Sequence, residues 1–444
     1  MSSFVLTNGE VIDSKGKRRA DVVLTDGIIT DVGNDITIAP GAHVIDASEM
    51  IISPGLVDIQ VHLREPGNDT QESAEDIMSG SRAAAVGGMT AVQCMPNTTP
   101  CIDNAQTFND VVSRSRSALV DVYVSAAITK NRASEETVDF AELYEAGART
   151  FTDDGDCVSS ARLMREAIET LSQFDDCMIA QHCEDHSLVH DGVIDEGHVS
   201  EQLSLKGRHR VAEEIIIARD IALMKAFASP KLRYHVLHLS TAQGLRHIIE
   251  AQAAGMNVST EVAPQHFALT SDELLNGNAN FKMNPPLRTT SDNHALVGGL
   301  VSGAIEAIAT DHAPHAPELK AHGIELAPPG MLGVETALSV SLTYLVHTGI
   351  MTLEQLIMVM SINPAKIIRA HEMENSHGGH GLDIVPGNPA NIAVFNPNEE
   401  WVVNADELHS KSVNSPWDKK TLSGKVHYTF VRGNLVCEKG HPVS

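Results

Sequence analysis

Apolar runs of strand length recur through the middle of the chain, at 56–63, 89–95, 120–128, 148–153, 177–183, 233–240, 257–263 and 305–310. Between them lie longer segments whose apolar positions repeat at helical spacing, among them ESAEDIMSGSRAAAV, AQTFNDVVSRSRSAL, ARLMREAIETLSQF, AEEIIIARDIALMKAFA, TAQGLRHIIEAQAAG and NHALVGGLVSG, with VETALSVSLTYLVHTG after the eighth run. Eight repeats of strand then helix predict an α/β fold, a (β/α)₈ TIM-like barrel. An open doubly wound sheet is the alternative, and no GxGxxG fingerprint supports it.

The two ends of the chain have another texture. Up to about Ile52, the short β-prone runs FVLT, VID, ADVVLT, IITDVG and HVIDA are punctuated by Asn-Gly and Asp-Gly, as in a small sheet of hairpins. After about Ile384 the pattern returns in NIAVFNP, EEWVVN and VHYTFVRGNLVCEKG. Each end is too short for a solid core, so the two are expected to pair into one composite β-sandwich (1–52 and 380–444) beside a barrel domain spanning 53–379.

Composition narrows the function. The 444 residues suit a barrel with an appendage. With 32 Lys+Arg against 58 Asp+Glu the net charge is −26, which argues against nucleic acid or an anionic membrane as partner. An acidic surface also repels a small anionic substrate, so such a substrate needs local positive charge from arginine or metal. Six scattered cysteines without a CxxC pair predict reduced thiols. The absence of a signal-like N-terminus and of a long apolar run predicts a cytoplasmic protein.

Polar residues gather where a barrel keeps its active site, at the carboxyl ends of the strands. Asp58, Gln60, His62 and Arg64 alternate onto one side of the first strand. The second strand runs into Met95-Pro96-Asn97 and the fourth ends in Thr152-Asp153-Asp154-Gly155. The fifth gives Gln181-His182-Cys183-Glu184-Asp185, the sixth His238-Leu239-Ser240-Thr241, the seventh Pro264-Gln265-His266 and the eighth Thr310-Asp311-His312-Ala313-Pro314-His315. Three histidines and two aspartates converging on one mouth form a nitrogen and oxygen set suited to zinc or a similar ion. A lone buried histidine is more often a hydrogen-bonded core residue, but five strands contributing together change that balance. Alternation turns His238 inward rather than His235, and Asp154 rather than Asp153, although strand-end twist keeps Asp153 in contention. Cys183 reads as a packed small residue, and the tract His371 to His380 as a solvated loop.

The motifs HLREPG (62–67), CMPNT (94–98), FTDDG (151–155), HCED (182–185), HLST (238–241), KMNPPLR (282–288) and ATDHAPH (309–315), in this order, resemble a dihydroorotase of the amidohydrolase superfamily. The likeness covers essentially the whole chain and is with the bacterial group that has an aspartate in place of a carboxylated lysine. It implies interconversion of N-carbamoyl-L-aspartate and L-dihydroorotate plus water. It further implies that Asp154 bridges two metal positions, one held by the first-strand pair and Asp311, the other by His182 and His238. Arg64, Asn97 and His315 would hold the substrate carboxylate, Asn284 would position the ring amide, and Asp311 would be the general acid/base. One or two zinc ions, a homodimer and a complex with an aspartate carbamoyltransferase are the corresponding cofactor and partner expectations.

The sequence departs from the family at two places. The expected His-x-His is Gln60-Val61-His62, so the first position offers an amide, a neutral and weaker donor toward zinc, which implies a site that is emptier, looser or tuned to a harder ion such as manganese or magnesium. At Ala327-Pro328-Pro329-Gly330 a bulkier residue is usual before the glycine, which bears on substrate affinity at Gly330. Two other readings remain: a non-catalytic dihydroorotase-like subunit supporting the carbamoyltransferase, and a hydantoinase or allantoinase. The near-complete ligand set opposes the first, and Arg64 with the FTDDG bridge opposes the second.

Overall fold

All eight apolar runs form strands, at Leu56–Val61, Met89–Cys94, Asp121–Val124, Thr150–Phe151, Met178–Gln181, Arg233–Val236, Val258–Val262 and Ala307–Ile308, in a computed structural model that describes residues 3–34, 36–373 and 377–443. The first three pair in parallel, as do the fourth to the eighth in sequence order. Single parallel bridges join the third to the fourth (Ala126 with Phe151) and the eighth back to the first (Val61 with His312), so the pairing returns to its start. Asp58 reinforces the last junction, its carboxylate accepting the Thr310 amide at 3.0 Å and the Thr310 hydroxyl at 2.6 Å.

The strands are shorter than the apolar runs because side chains take over from the ladder at their ends. Beyond Val124, the amides of Ile128 and Thr129 bond at 2.8 and 2.9 Å to Asp153 Oδ1. The Thr129 hydroxyl also donates to this carboxylate. Asp153 therefore faces away from the strand mouth and serves the backbone, leaving Asp154 as the inward carboxylate.

Helices follow where apolar spacing placed them, at Ile77–Val86, Ala105–Ser115, Ala161–Leu171, Val211–Phe227, Ala242–Ala253, Thr290–Ser302 and Ala337–Ser341. In the third of these Leu163, Met164, Ala167, Ile168 and Leu171 are buried on one face, and Arg165 pairs with Glu169 on the other. The first predicted helix is broken at Glu75, because Asn68 and Asp76 each build a capping box and start separate helices. A short helix at Phe140–Ala146 buries only Phe140 and Leu143, too few positions to display a period.

Both chain ends meet in one seven-stranded sheet, where Ile51–Pro54 lies between Glu10–Asp13 and Ile392–Val402. A four-stranded sheet from the N-terminal segment covers it, and Leu6, Val22, Leu24, Ile52, Ile392, Val394 and Phe430 share the core between them. Asp26-Gly27 and Arg432-Gly433 make tight hairpin turns with positive φ at both residues. Asn8-Gly9 does not: Ser3–Thr7 pairs with Asp21–Thr25 and His43–Asp46 while Glu10–Asp13 joins the other sheet, so this dipeptide carries the chain between sheets.

The expected solvated loop from His371 to His380 is corrected in part; Glu374, Asn375 and Ser376 lie outside the described residues. His380 is fully buried, its ring nitrogens 2.9 Å from Thr90 Oγ1 and 2.9 Å from Asp121 Oδ2, and His377 reaches the other Asp121 oxygen at 3.0 Å. Burial alone would push Asp121 up, but His377, His380 and Arg432 hold its carboxyl at about 2. The tract is a polar fastening at the amino end of the third strand, a location associated with stability. All six cysteines are free and buried, and among the described residues no helix is long and apolar enough to cross a membrane.

Candidate metal and substrate site

The first strand delivers Gln60 and His62 side by side into the interior, both buried, and the chain then bends at Arg64 (φ 58°). His238 (φ 31°) and Asp311 (φ 50°) sit in similarly left-handed backbone just past their strands. Such conformations cost about 1–3 kcal/mol each and persist where the surroundings over-determine them.

Asp154 is the hub. Its Oδ1 accepts from Gln60 Nε2 at 3.0 Å and lies 3.4 Å from His238 Nε2 and 3.7 Å from His182 Nδ1; its Oδ2 lies 3.3 Å from His62 Nε2 and has no hydrogen-bond partner. His62 Nε2 is 2.8 Å from Asp311 Oδ1, and its Nδ1 is 2.8 Å from Asn97 Oδ1. His182 Nδ1 and His238 Nε2 stand 2.8 Å apart. Burial pushes the Asp154 carboxyl up, yet the histidines around it, His238, His62 and His182, hold it well below the usual carboxylate range.

Two buried donor groups result, Asp154 with His182 and His238, and His62 with Asp154 and Asp311; within each, the donor atoms lie within 4.8 Å of one another. Asp154 belongs to both. The unpartnered Asp154 Oδ2 and Gln60 Oε1 matter here, since a buried polar atom without a partner costs about 1–3 kcal/mol. Imidazole and carboxylate donors around an orphaned carboxylate oxygen fit a divalent cation. Gln60, placed among the candidate ligands, turns its amide nitrogen to Asp154 and leaves Oε1 unmatched.

These groups floor a cavity of about 180 Å³ whose walls include Arg64, Asn97, Asn284, His315, Pro329 and Gly330, so every candidate site residue except Gln60 lines one space. Arg64 donates through Nε to the Pro314 carbonyl at 3.2 Å, leaving its terminal nitrogens for a ligand; burial lowers it to about 10, so it remains cationic at neutral pH. Asn97 spends its oxygen on His62 and keeps its NH₂. Burial, then Arg64, pushes His315 down to about 2, so its ring is neutral and bonds the Pro329 carbonyl at 2.8 Å. Asn284 accepts from Arg208 at 2.6 Å and places Nδ2 3.2 Å from both His182 Nε2 and Glu184 Oε2.

Gly330 (φ 140°) closes the wall. A Cβ there would lie 2.7 Å from His315 Nε2 and 2.8 Å from the Ala313 Cβ, so the loop tolerates no side chain without moving. Lys320 ties this loop down, donating to the Pro328 and Gly330 carbonyls at 3.1 and 2.9 Å, and burial lowers its ammonium to about 7. Gly330→Ala should displace the loop and raise KM about 10-fold with a smaller change in kcat; steady-state kinetics that match the unaltered protein would show that the wall plays no part in binding.

The rejected candidates have other employment. His235 bonds Ser259 and Glu261 and is pushed down to about 3 by burial, and Cys183 packs against Tyr234 with its thiol pushed up by burial. Arg208 and Lys320 escaped the sequence reading. Both sit in elements too short to show a period, Arg208 in the strand Gly207–Arg208 and Lys320 in the helix Pro317–Lys320, and the basic stretch KGRHR (206–210) in an acidic chain is a signal for the former.

Comparison with known proteins agrees with this geometry. A family model described as Dihydro-orotase-like matches residues 49–244. The dihydroorotase of Citrifermentans bemidjiense is 40% identical over 440 residues, 98% of this chain and 99% of the relative. That of Aquifex aeolicus is 41% identical over 442 residues, 98% of this chain and 99% of the relative. Among solved structures, the L-hydantoinase (dihydropyrimidinase) of Arthrobacter aurescens superposes with a TM-score of 0.86 at 25% identity, covering 100% of this chain and 98% of that one. The dihydropyrimidinase of Brevibacillus agri gives 0.83 at 21% identity, over 99% and 96% of the two chains.

Proposed function

The chain belongs to the dihydroorotase family, and on that premise we propose that it interconverts N-carbamoyl-L-aspartate and L-dihydroorotate plus water, a step of de novo pyrimidine synthesis. The observation that carries the reading is the placing of a buried arginine in the same cavity as two donor groups that share one aspartate. The returning strand pairing supports a (β/α)₈ barrel, and the shared seven-stranded sheet supports a composite sandwich of 1–52 and 380–444 around a catalytic domain of 53–379.

The residues divide the work. Arg64 offers a planar fork for the substrate carboxylate, a geometry lysine lacks, and the Asn97 NH₂ adds a donor beside it. His315, held neutral, keeps the Gly330 loop against that end of the ligand. Asn284 meets the ring amide. His62, Asp154, His182, His238 and Asp311 would hold divalent metal, zinc by donor type, with manganese or magnesium suited to the position next to Gln60. Such an ion acidifies water and polarises a carbonyl. Asp311 takes the proton of the attacking water during ring opening and passes it to the leaving ring nitrogen; in ring closure it does the reverse.

A hydantoinase shares the fold, and hydantoin carries no exocyclic carboxylate for Arg64 to grip. With the metal-loaded protein, kcat/KM for dihydroorotate should exceed that for hydantoin or allantoin by about 100-fold or more, because a site built for a polar group rejects a ligand lacking it. Equal or better turnover of hydantoin would assign the chain to the cyclic amidases instead.

A further inference from the structure

Between the fifth strand and the helix Val211–Phe227 the chain makes a long excursion, in which Gly207–Arg208 pairs in parallel with Ile194–Asp195. Arg208 is anchored on its own loop through Nε, which donates to the Gly192 carbonyl at 2.8 Å; its backbone carbonyl accepts from Arg288 at 3.3 Å, and Arg288 in turn holds Asp195 at 2.6 Å. The loop thus aims one guanidinium nitrogen into the site. That nitrogen meets Glu184 Oε1 at 3.0 Å, Glu184 Oε2 at 3.3 Å and Asn284 Oδ1 at 2.6 Å.

Two consequences follow from what each acceptor touches next. With its oxygen committed to Arg208, the Asn284 amide cannot rotate, and its NH₂ is held between Glu184 Oε2, to which it donates, and His182 Nε2, 3.2 Å from each. His182 turns Nδ1 to His238 and Asp154, so for that nitrogen to offer a lone pair the ring proton must sit on Nε2. The nearest polar neighbour of Nε2, the Asn284 NH₂, can only donate, so the acceptor for an Nε2 proton is Glu184 Oε2, 3.7 Å away. A carboxylate behind a ligating histidine fixes its tautomer and ring orientation, and loss of such a partner typically costs 10–100-fold in metal affinity or activity.

We propose that Arg208 and Glu184 form a positioning pair, in which the guanidinium sets the amide of Asn284 and holds Glu184 as the shared acceptor for the Asn284 NH₂ and the His182 Nε2 proton, and so sets the metal-facing tautomer of His182. Neither residue touches the reacting atoms. Arginine suits the task because Nε anchors it to the Gly192 carbonyl while one terminal nitrogen reaches both acceptors, and a brace for the loop alone would not need Asn284. The substrate half of the proposal rests on the dihydroorotase reading; the metal half does not.

The test uses the full chain carrying Arg208→Met or Glu184→Gln, with kcat and KM for dihydroorotate at saturating zinc, zinc affinity of the metal-stripped protein by chelator competition, and thermal melting. Arg208→Met should raise KM about 10-fold while kcat changes less than about threefold, and Glu184→Gln should weaken zinc about 10-fold. A lowered melting temperature with KM and zinc affinity unchanged would reduce the pair to a loop brace and overturn the proposal. Should Arg208→Met fail to fold, Glu184→Gln decides: unaltered zinc affinity contradicts the pair. If the unaltered protein leaves dihydroorotate intact, the functional reading fails while the zinc arm still judges the pair.

Discussion

Asp311→Asn should lower kcat for dihydroorotate ring opening by about 10³-fold and leave the melting temperature nearly unchanged. A positioned general acid/base contributes about 10²–10⁴-fold, and the amide keeps the shape of the carboxylate while losing its proton affinity. Asparagine also tolerates the left-handed backbone that Asp311 adopts at φ 50°, so the bend into the cavity survives. The contact of Asp311 Oδ1 with His62 Nε2 at 2.8 Å makes metal content a necessary companion measurement. Loss of turnover with metal retained assigns the proton transfer to Asp311. Turnover within tenfold of the unaltered protein would place the base elsewhere.

Gln60→His should change how much metal the protein holds. Gln60 is fully buried and spends its amide nitrogen on Asp154 Oδ1, while its oxygen finds no partner. An imidazole there adds a nitrogen donor to the group of His62, Asp154 and Asp311, which otherwise relies on three. After dialysis, the unaltered protein should retain close to one zinc per chain, held by Asp154, His182 and His238. Gln60→His should retain close to two, with the weaker ion bound at least about 10-fold more tightly. Equal metal content in both proteins would show that the amide serves as well as the imidazole.

Much of this site is visible in the sequence because strand alternation is a strict rule. It favours Asp154 while keeping Asp153 in contention, and Asp154 lines the cavity while Asp153 bonds backbone amides. His238 lines the cavity too, but through left-handed backbone past the strand end, since Tyr234 on the same nominal face bonds Asp220 of a helix. Alternation says nothing about elements of two to four residues, and there the reading fails. Arg208 and Lys320 reach the cavity wall from segments without a period, and their partners are a carboxylate and backbone carbonyls brought near by the fold. The same reason explains the tract near His380, where composition suggested solvent but Asp121, some 260 residues earlier in the chain, draws His380 inward. At Asn8-Gly9 the chain bends, with Asn8 at φ 64°, but the strands on either side join different sheets, since local residues bend a chain without choosing what it pairs with.

The most direct test of the central claim is the hydrolysis of dihydroorotate, followed by loss of its ultraviolet absorbance, by the unaltered protein at saturating zinc or manganese, alone and with an aspartate carbamoyltransferase. The arrangement around Asp154 predicts turnover that disappears when the metal is chelated and returns when it is restored. No turnover with either metal, with or without the second enzyme, would contradict the account and leave the chain as a dihydroorotase-like subunit without catalysis.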